Sequence, residues 1–237
     1  MQKLADTFWN IRGTFRVVGI NIGTHMSVVK RGNGRFVIID GCDLDDAQRA
    51  ELLALTGNGE KVDVVMHVHP FHTMYVQDMH TLFPSATLYG TARHREKAPD
   101  LPWAEAPVET WDDEHPLADL FNLSVPEGVD FVSADERVHV DDTFNVMAAS
   151  GTLGKILPQS SLRMHPMLSR ALSQSPGSAD AFAGWARWLA SAWSKTSIVC
   201  AAHSAVRELP AGGFKKEVED ALAKVSGILD GHRKRYG

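Results

Sequence analysis

The sequence predicts an α/β fold built on parallel strands, and three observations carry that prediction. Residues 36–89 alternate short apolar runs with helical periodicity, in the order strand, helix, strand, helix, strand. Strands joined through helices run parallel by crossover connections. The middle run, Val62-Asp63-Val64-Val65-Met66, is nearly continuous in apolar residues, as a strand buried on both faces must be. That strand ends on His67, His69 and His72, and the C-terminal ends of strands are where open α/β sheets bind ligands.

Taken in order, residues 7–40 read as a β-meander. Thr14–Ile20, Met26–Lys30 and Arg35–Ile39 are rich in Val, Ile and Phe. Arg31-Gly32-Asn33-Gly34 supplies the positive-φ residues of a tight hairpin between the last two. Phe36–Ile39 runs into Asp40-Gly41, and Asp43 is the expected N-cap of an amphipathic helix over 47–55 that Gly57 closes. After the central strand, Met74, Met79, Leu82 and Phe83 are spaced as a helix stopped at Pro84, and Ala86–Tyr89 is a short strand. Pro99, Pro102, Pro107 and Pro116 break 93–118 into irregular chain, with Glu109, Asp112, Asp113 and Glu114 as an acidic loop.

Short strands are expected again at Leu120–Val125, Val129–Val132 and Arg137–Val140, while the Ser-, Gly- and Pro-rich stretch 150–178 carries no assignable element. Ala179–Trp193 is a strong helix with Phe182, Trp185, Leu189 and Trp193 on overlapping faces, aromatic residues that suit a core. Thr196–Ala201 is a short buried strand ending at Ala202-His203-Ser204, and a last helix covers about 214–230. The chain reads as a single domain, 1–237, in two pseudo-halves of about 1–118 and 119–237. Each half begins with strands and ends in a strand-to-histidine junction followed by a helix.

Composition bounds the function. A length of 237 residues and 44% hydrophobic content suit a well-buried globular chain. The net charge of −5 argues against nucleic acid or an anionic membrane as partner. No apolar run approaches the roughly 20 residues of a membrane helix, and Met1–Asp6 lacks the apolar core of a signal peptide. Cys42 and Cys200 make no disulfide framework; beside strand ends, they read as small hydrophobes. A reduced, cytoplasmic protein with a small-molecule substrate is expected, and its oligomeric state stays open.

The histidine cluster carries the chemistry. His67 and His69 are two apart, so in extended backbone their side chains leave on one face. Pro70 cannot continue a ladder and ends the strand, which puts His72 in the turn beyond it. Two imidazoles and a third from the turn can converge on one cation. A single histidine is ordinarily a surface or hydrogen-bonded residue, and His25, His94, His115 and His165 are read that way; His80, eight residues beyond His72, is left open. Trp103, Trp111 and Trp188 are read as exposed aromatic residues.

The run His67-Val68-His69-Pro70-Phe71-His72 after the central strand, with Asp40-Gly41 ending the preceding one, resembles the metallo-β-lactamase superfamily. Its pattern at this place is His-x-His-x-Asp-His, preceded by an apolar strand and Asp-x-Gly. The resemblance spans about residues 14–230 and implies an αββα sandwich. It also implies a bridging acidic ligand at Asp142, with Asp141 as second choice, and a final histidine ligand at His203. The implied metal set is His67, His69, His72, Asp142 and His203, holding one zinc ion, or iron or manganese, with Asp142 also orienting the attacking water. The implied activity is metal-dependent hydrolysis of a small ester, lactone or thioester. Two departures stand against it. Phe71 replaces the Asp that ligates a second metal, and Phe131-Val132-Ser133 fills the place of the middle histidine, with His139 on the next strand. They leave open an alternative, a catalytically degenerate binding or scaffold protein on the same fold.

Overall fold

Pairing of the apolar runs gives the first half of the chain one six-stranded mixed sheet. The structure, a computed structural model, describes residues 1–17, 20–104, 106–129, 144–145, 161–201, 203 and 206–237. It divides into two compact units, Met1–Ser124 and Val125–Gly237.

In the first unit the strands are β1 (Gln2–Ala5), β2 (Phe8–Gly13), β3 (Arg16–Val17), β4 (Ile20–Asn21), β5 (Thr24–Lys30), β6 (Phe36–Ile39), β7 (Val62–His67) and β8 (Thr87–Gly90). The main sheet runs β1-β2-β5-β6-β7-β8, while β3 and β4 form a separate two-stranded ribbon. The first three pairings are antiparallel, and β6-β7 and β7-β8 are parallel, as the strand–helix alternation predicts. In place of the expected single strand over Thr14–Ile20, the described residues Arg16–Val17 and Ile20–Asn21 pair antiparallel with each other. Phe8–Gly13 takes the expected strand's place in the sheet, because Trp9 and Ile11 alternate into the core, and the chain beyond Gly13 turns off into the β3–β4 ribbon.

Helix α1 covers Asp46–Thr56 and is capped by Asp45, not Asp43. The Asp45 carboxylate accepts the Gln48 N–H while the Gln48 side chain accepts the Asp45 N–H, a capping box shifted two residues from the expected start. Gly57, at φ +62°, closes the helix in the left-handed region. Helix α2 (Val76–Leu82) follows the histidine cluster, as its periodicity predicts. The proline-broken segment 93–118 contains two elements that its composition hid, helix α3 (Ala92–Lys97) and a 3₁₀ turn at Val108–Thr110.

Strand alternation splits the unit's core into two faces. Phe36, Ile38 and Val65 pack with Leu52 of α1, Met79 of α2 and Phe83. Val37, Val64 and Met66 face the opposite way, onto Val108 and Leu117. Each such buried aliphatic side chain contributes roughly 1.5–3 kcal/mol, so the central strands are fixed by burial on both sides.

The second unit is mainly helical as described. Its elements are β9 (Phe144–Asn145), β10 (Arg163–Met164), α4 (Leu168–Ala171), α5 (Ser178–Ala192), β11 (Ile198–Cys200), β12 (Val206–Glu208), α6 (Gly213–Lys224) and α7 (Ser226–Tyr236). Phe182, Trp185 and Leu189 of α5 are core residues, packed with Val218 and Leu222 of α6. The single expected C-terminal helix is two, joined at Val225. No strand is described over Leu120–Val125; Leu123 and Val125 are exposed, with no ladder partner among the described residues. The strand expected at 196–201 is shorter and only half-buried, and pairs antiparallel with β12. The expected strands over 130–132 and 137–140 lie outside the described residues.

Candidate metal centre

β7 delivers His67 on the same face as Val65, toward the helix-covered side of the sheet. The parallel register sets Gly90 of β8 opposite it. A side chain at Gly90 would run into the Trp103 ring at 2.6 Å and the His94 Cβ at 3.0 Å, so the glycine is what lets both close over this position. The His67 ring lies 5.2 Å from that of His94 and 6.3 Å from that of Trp103. His67 and His94 have no exposed surface. Neither ring nitrogen of His67 has a hydrogen-bond partner among the described residues, nor has Nε2 of His94. Burial pushes the His67 imidazolium down to about 3, helped by the neighbouring His94. Burial also lowers His94 to about 4, with the His72 carbonyl opposing the shift and the charges of His69 and Arg93 adding to it. Both rings are therefore neutral near pH 7, the form in which imidazole ligates a metal.

The strand stops at His67, so the two-residue alternation does not extend to His69. A turn replaces it. The His72 N–H donates to the His69 carbonyl at 2.9 Å, with Pro70 in the second position, where its fixed φ suits such a turn. This stacks the His69 and His72 rings with centroids 3.5 Å apart and planes 12° from parallel. Each offers a ring nitrogen within 4.8 Å of the other's.

Asp40 holds this turn to the sheet. It stands at φ +58°, a left-handed conformation that Asp tolerates better than most residues. Its N–H donates to the Met66 carbonyl at 2.8 Å, and its carboxylate accepts the Val68 and His69 N–H groups at 2.9 and 3.4 Å. Gly41 follows because a Cβ there would meet Met79 Cγ at 2.8 Å and Tyr75 Cβ at 3.0 Å. Asp40-Gly41 thus seats both the histidine turn and the start of α2.

Phe71 projects from the same turn, and the guanidinium of Arg93 lies over its ring, 4.4 Å from the centroid, a cation–π contact. Arg93 and His94 are consecutive residues of α3. Thr91 caps that helix in a box in which His94 takes the place usual for Glu or Gln: the Thr91 N–H donates to His94 Nδ1 at 3.2 Å. In the sequence Thr91 and Arg93 go unread and His94 reads as an ordinary surface histidine; a Thr-x-x-His spacing after a short strand is the signal that marks the cap.

The remaining sequence-derived candidates divide. Asp142, Asp141 and His139 lie outside the described residues. His203 follows β11 in the second unit and is half-buried. His25, His94 and His115 are buried, not on the surface. His25 pairs with Asn10 and His115 with the Phe121 carbonyl, so structural hydrogen bonding offsets the burial of two of them. Trp103 and Trp111 are half-buried, because Trp103 donates to the Ala98 carbonyl at 2.7 Å and Trp111 packs on Tyr89 and His115. Trp188 is exposed as expected.

No family model and no curated protein matches the sequence. Solved structures do. The chain is similar to the metallo-β-lactamase FIM-1 from Pseudomonas aeruginosa in its mono-zinc form, at a TM-score of 0.53 and 13% identity, covering 95% of both chains. Also similar are a metallo-β-lactamase from Hirschia baltica (TM-score 0.48, 14% identity, 96% and 95% covered) and the metallo-β-lactamase DIM-1 (0.48, 16%, 95% and 96%). With its mixed sheet, its crossover helices and its histidine-bearing strand end, the chain has the metallo-β-lactamase fold.

Proposed function

We propose that this protein is a metal-dependent hydrolase of a small ester, lactone or thioester, with a single divalent cation held by histidines at the end of β7. The observation that supports it best is the stacked pair His69 and His72, whose ring nitrogens lie within 4.8 Å of each other; His67, whose two buried nitrogens lack hydrogen-bond partners among the described residues, lies outside that grouping and against His94. An unmade hydrogen bond on a buried polar group costs about 1–3 kcal/mol, and a cation ligated by one nitrogen would offset that cost. An all-nitrogen set of neutral imidazoles fits zinc, and a carboxylate added to it would also suit iron or manganese. In this reading His67, His69 and His72 hold the ion, with His203 and Asp142 proposed as further ligands and Asp142 also orienting water.

When bound, zinc supplies a Lewis acid that brings the pKa of water to about 7. The chain's own part is to hold the ligands. Asp40 fixes the turn through two main-chain N–H groups, and burial keeps His67 and His94 neutral. The His94 and Trp103 rings stand 5.2 and 6.3 Å from that of His67, which has no exposed surface.

The second reading, a binding protein without a metal centre, is favoured by Phe71 and by the cation that covers it. Metal content separates the two. Protein purified without tag or chelator is expected to carry about one Zn, Fe or Mn per chain by mass spectrometry, and a His67→Ala/His69→Ala variant to carry none. A folded wild-type chain that holds no metal and takes up no added zinc would overturn the hydrolase reading.

A further inference from the structure

We propose that Arg93 is an oxyanion-binding residue beside the histidine cluster, so that the ligand handled there carries a carboxylate or phosphate group. The proposal rests on the metal-centre reading for where chemistry occurs, but the anion contact itself does not need the metal.

Arg93 is fixed in place without being neutralised. Its guanidinium lies 4.4 Å over Phe71, which sits between Pro70 and His72 of the histidine turn. Stacking on a ring face orients the planar group and leaves the N–H groups along its edge for other partners. Its Nε is buried with no hydrogen-bond partner, and no carboxylate pairs with it among the described residues. Glu109, the acid that reaches the start of α3, instead accepts the Ala92 N–H at 2.8 Å. A guanidinium keeps its charge at any ordinary pH and carries five donors in a fork that matches two oxygens of a carboxylate or phosphate.

Placement ties this charge to the site. Arg93 and His94 directly follow β8, the parallel neighbour of β7. The His94 ring feels the charges of both His69 and Arg93. Phe71 then has a definite consequence: an aspartate at this place would pair with the guanidinium and quench it, whereas the phenyl ring holds it open.

The test is calorimetric titration with inorganic phosphate and, separately, with acetate. It uses protein as purified and after dialysis against a chelator, for wild type, Arg93→Gln, Arg93→Lys and Phe71→Asp. Circular dichroism reports folding, and zinc uptake is measured on the same samples. Wild type is expected to bind at least one of the two anions in the chelator-treated form, and which one binds assigns the ligand class. Arg93→Gln is expected to bind roughly ten- to a hundredfold more weakly, the loss of a charge-assisted pair. Arg93→Lys should retain part of the affinity. Phe71→Asp should lose it with the arginine intact, and zinc uptake by Arg93→Gln should equal that of wild type. Unchanged anion affinity in folded Arg93→Gln, or no saturable binding by wild type, overturns the proposal. A wild-type chain that takes up no zinc, yet loses anion binding on substitution of Arg93, would overturn the metal reading and leave this one standing.

Discussion

Asp40 joins three functions in one residue: it ends β6, turns the chain through a positive φ, and accepts the two main-chain N–H groups that begin the histidine turn. These functions can be separated by substitution. Asp40→Asn keeps a side chain that tolerates the left-handed region and one oxygen that can accept, so it should stay folded with a loss of about 1 kcal/mol. Asp40→Ala loses the acceptor and the tolerance together, leaves the Val68 N–H unmade, and should cost about 2–4 kcal/mol. Urea denaturation of the three proteins checks the order, and zinc uptake should follow it, because the turn orients His69 and His72. If Asp40→Ala proved as stable as wild type, the carboxylate would not be what holds the turn.

At the scale of elements, the site is a product of strand register. Pairing of β7 with β8 puts Gly90 against His67, and the empty side of Gly90 admits Trp103 and His94. Gly90→Ala should therefore destabilise by about 1–3 kcal/mol through overpacking, because the obstructing atoms belong to a ring clamped by the Ala98 carbonyl and to a Cβ close to backbone. It should also perturb His67, visible as a shifted imidazole resonance. Gly184, where a Cβ would meet nothing within 4 Å, is the control: Ala there should be neutral or stabilising, as it removes a flexible residue from inside α5. This geometry also explains what the sequence could disclose. The parallel strands, α1, α2 and α5 were legible because each carries its own periodicity. His67, His69 and His72 were legible as a run, and so was the turn at Pro70. The register of β7 on β8 is a long-range property, so the partners of His67 were not legible: His94 read as a surface histidine and Trp103 as an exposed aromatic. Helix α3 was hidden by the prolines that follow it, although its Thr91 cap lies in plain view. The C-terminal break at Val225 was hidden because α6 and α7 keep helical apolar spacing across it.

Over the whole molecule, each unit has its own core, sheet-based in the first and helical in the second, and no helix among the described residues is long and apolar enough to cross a membrane. The two most strongly lowered histidines, His67 at about 3 and His94 at about 4, both belong to the first unit. Sensitivity to acid should therefore be uneven along the chain. In the unfolded state both rings titrate near 6.5, so below that pH the unfolded chain binds more protons than the folded one. Stability is then full above about 6.5 and is lost as pH falls toward 4. At pH 5 the loss amounts to about 2 kcal/mol for each ring, at 1.36 kcal/mol per unit of pKa. Hydrogen exchange on metal-free protein should show amides of β7 and β8 losing protection between pH 7 and pH 5, while those of α5 and α6 change little. Bound zinc requires neutral imidazoles, so at a hundred times its Kd it should add about 2.7 kcal/mol near pH 7. That increment should disappear over the same acid range as the ligands protonate. Equal protection of β7 at pH 7 and pH 5 in the metal-free chain would show that these rings gain water on acidification instead of opposing it. The burial of His67 beside Trp103 and His94 would then be wrong, and with it the argument that burial holds the ligand neutral.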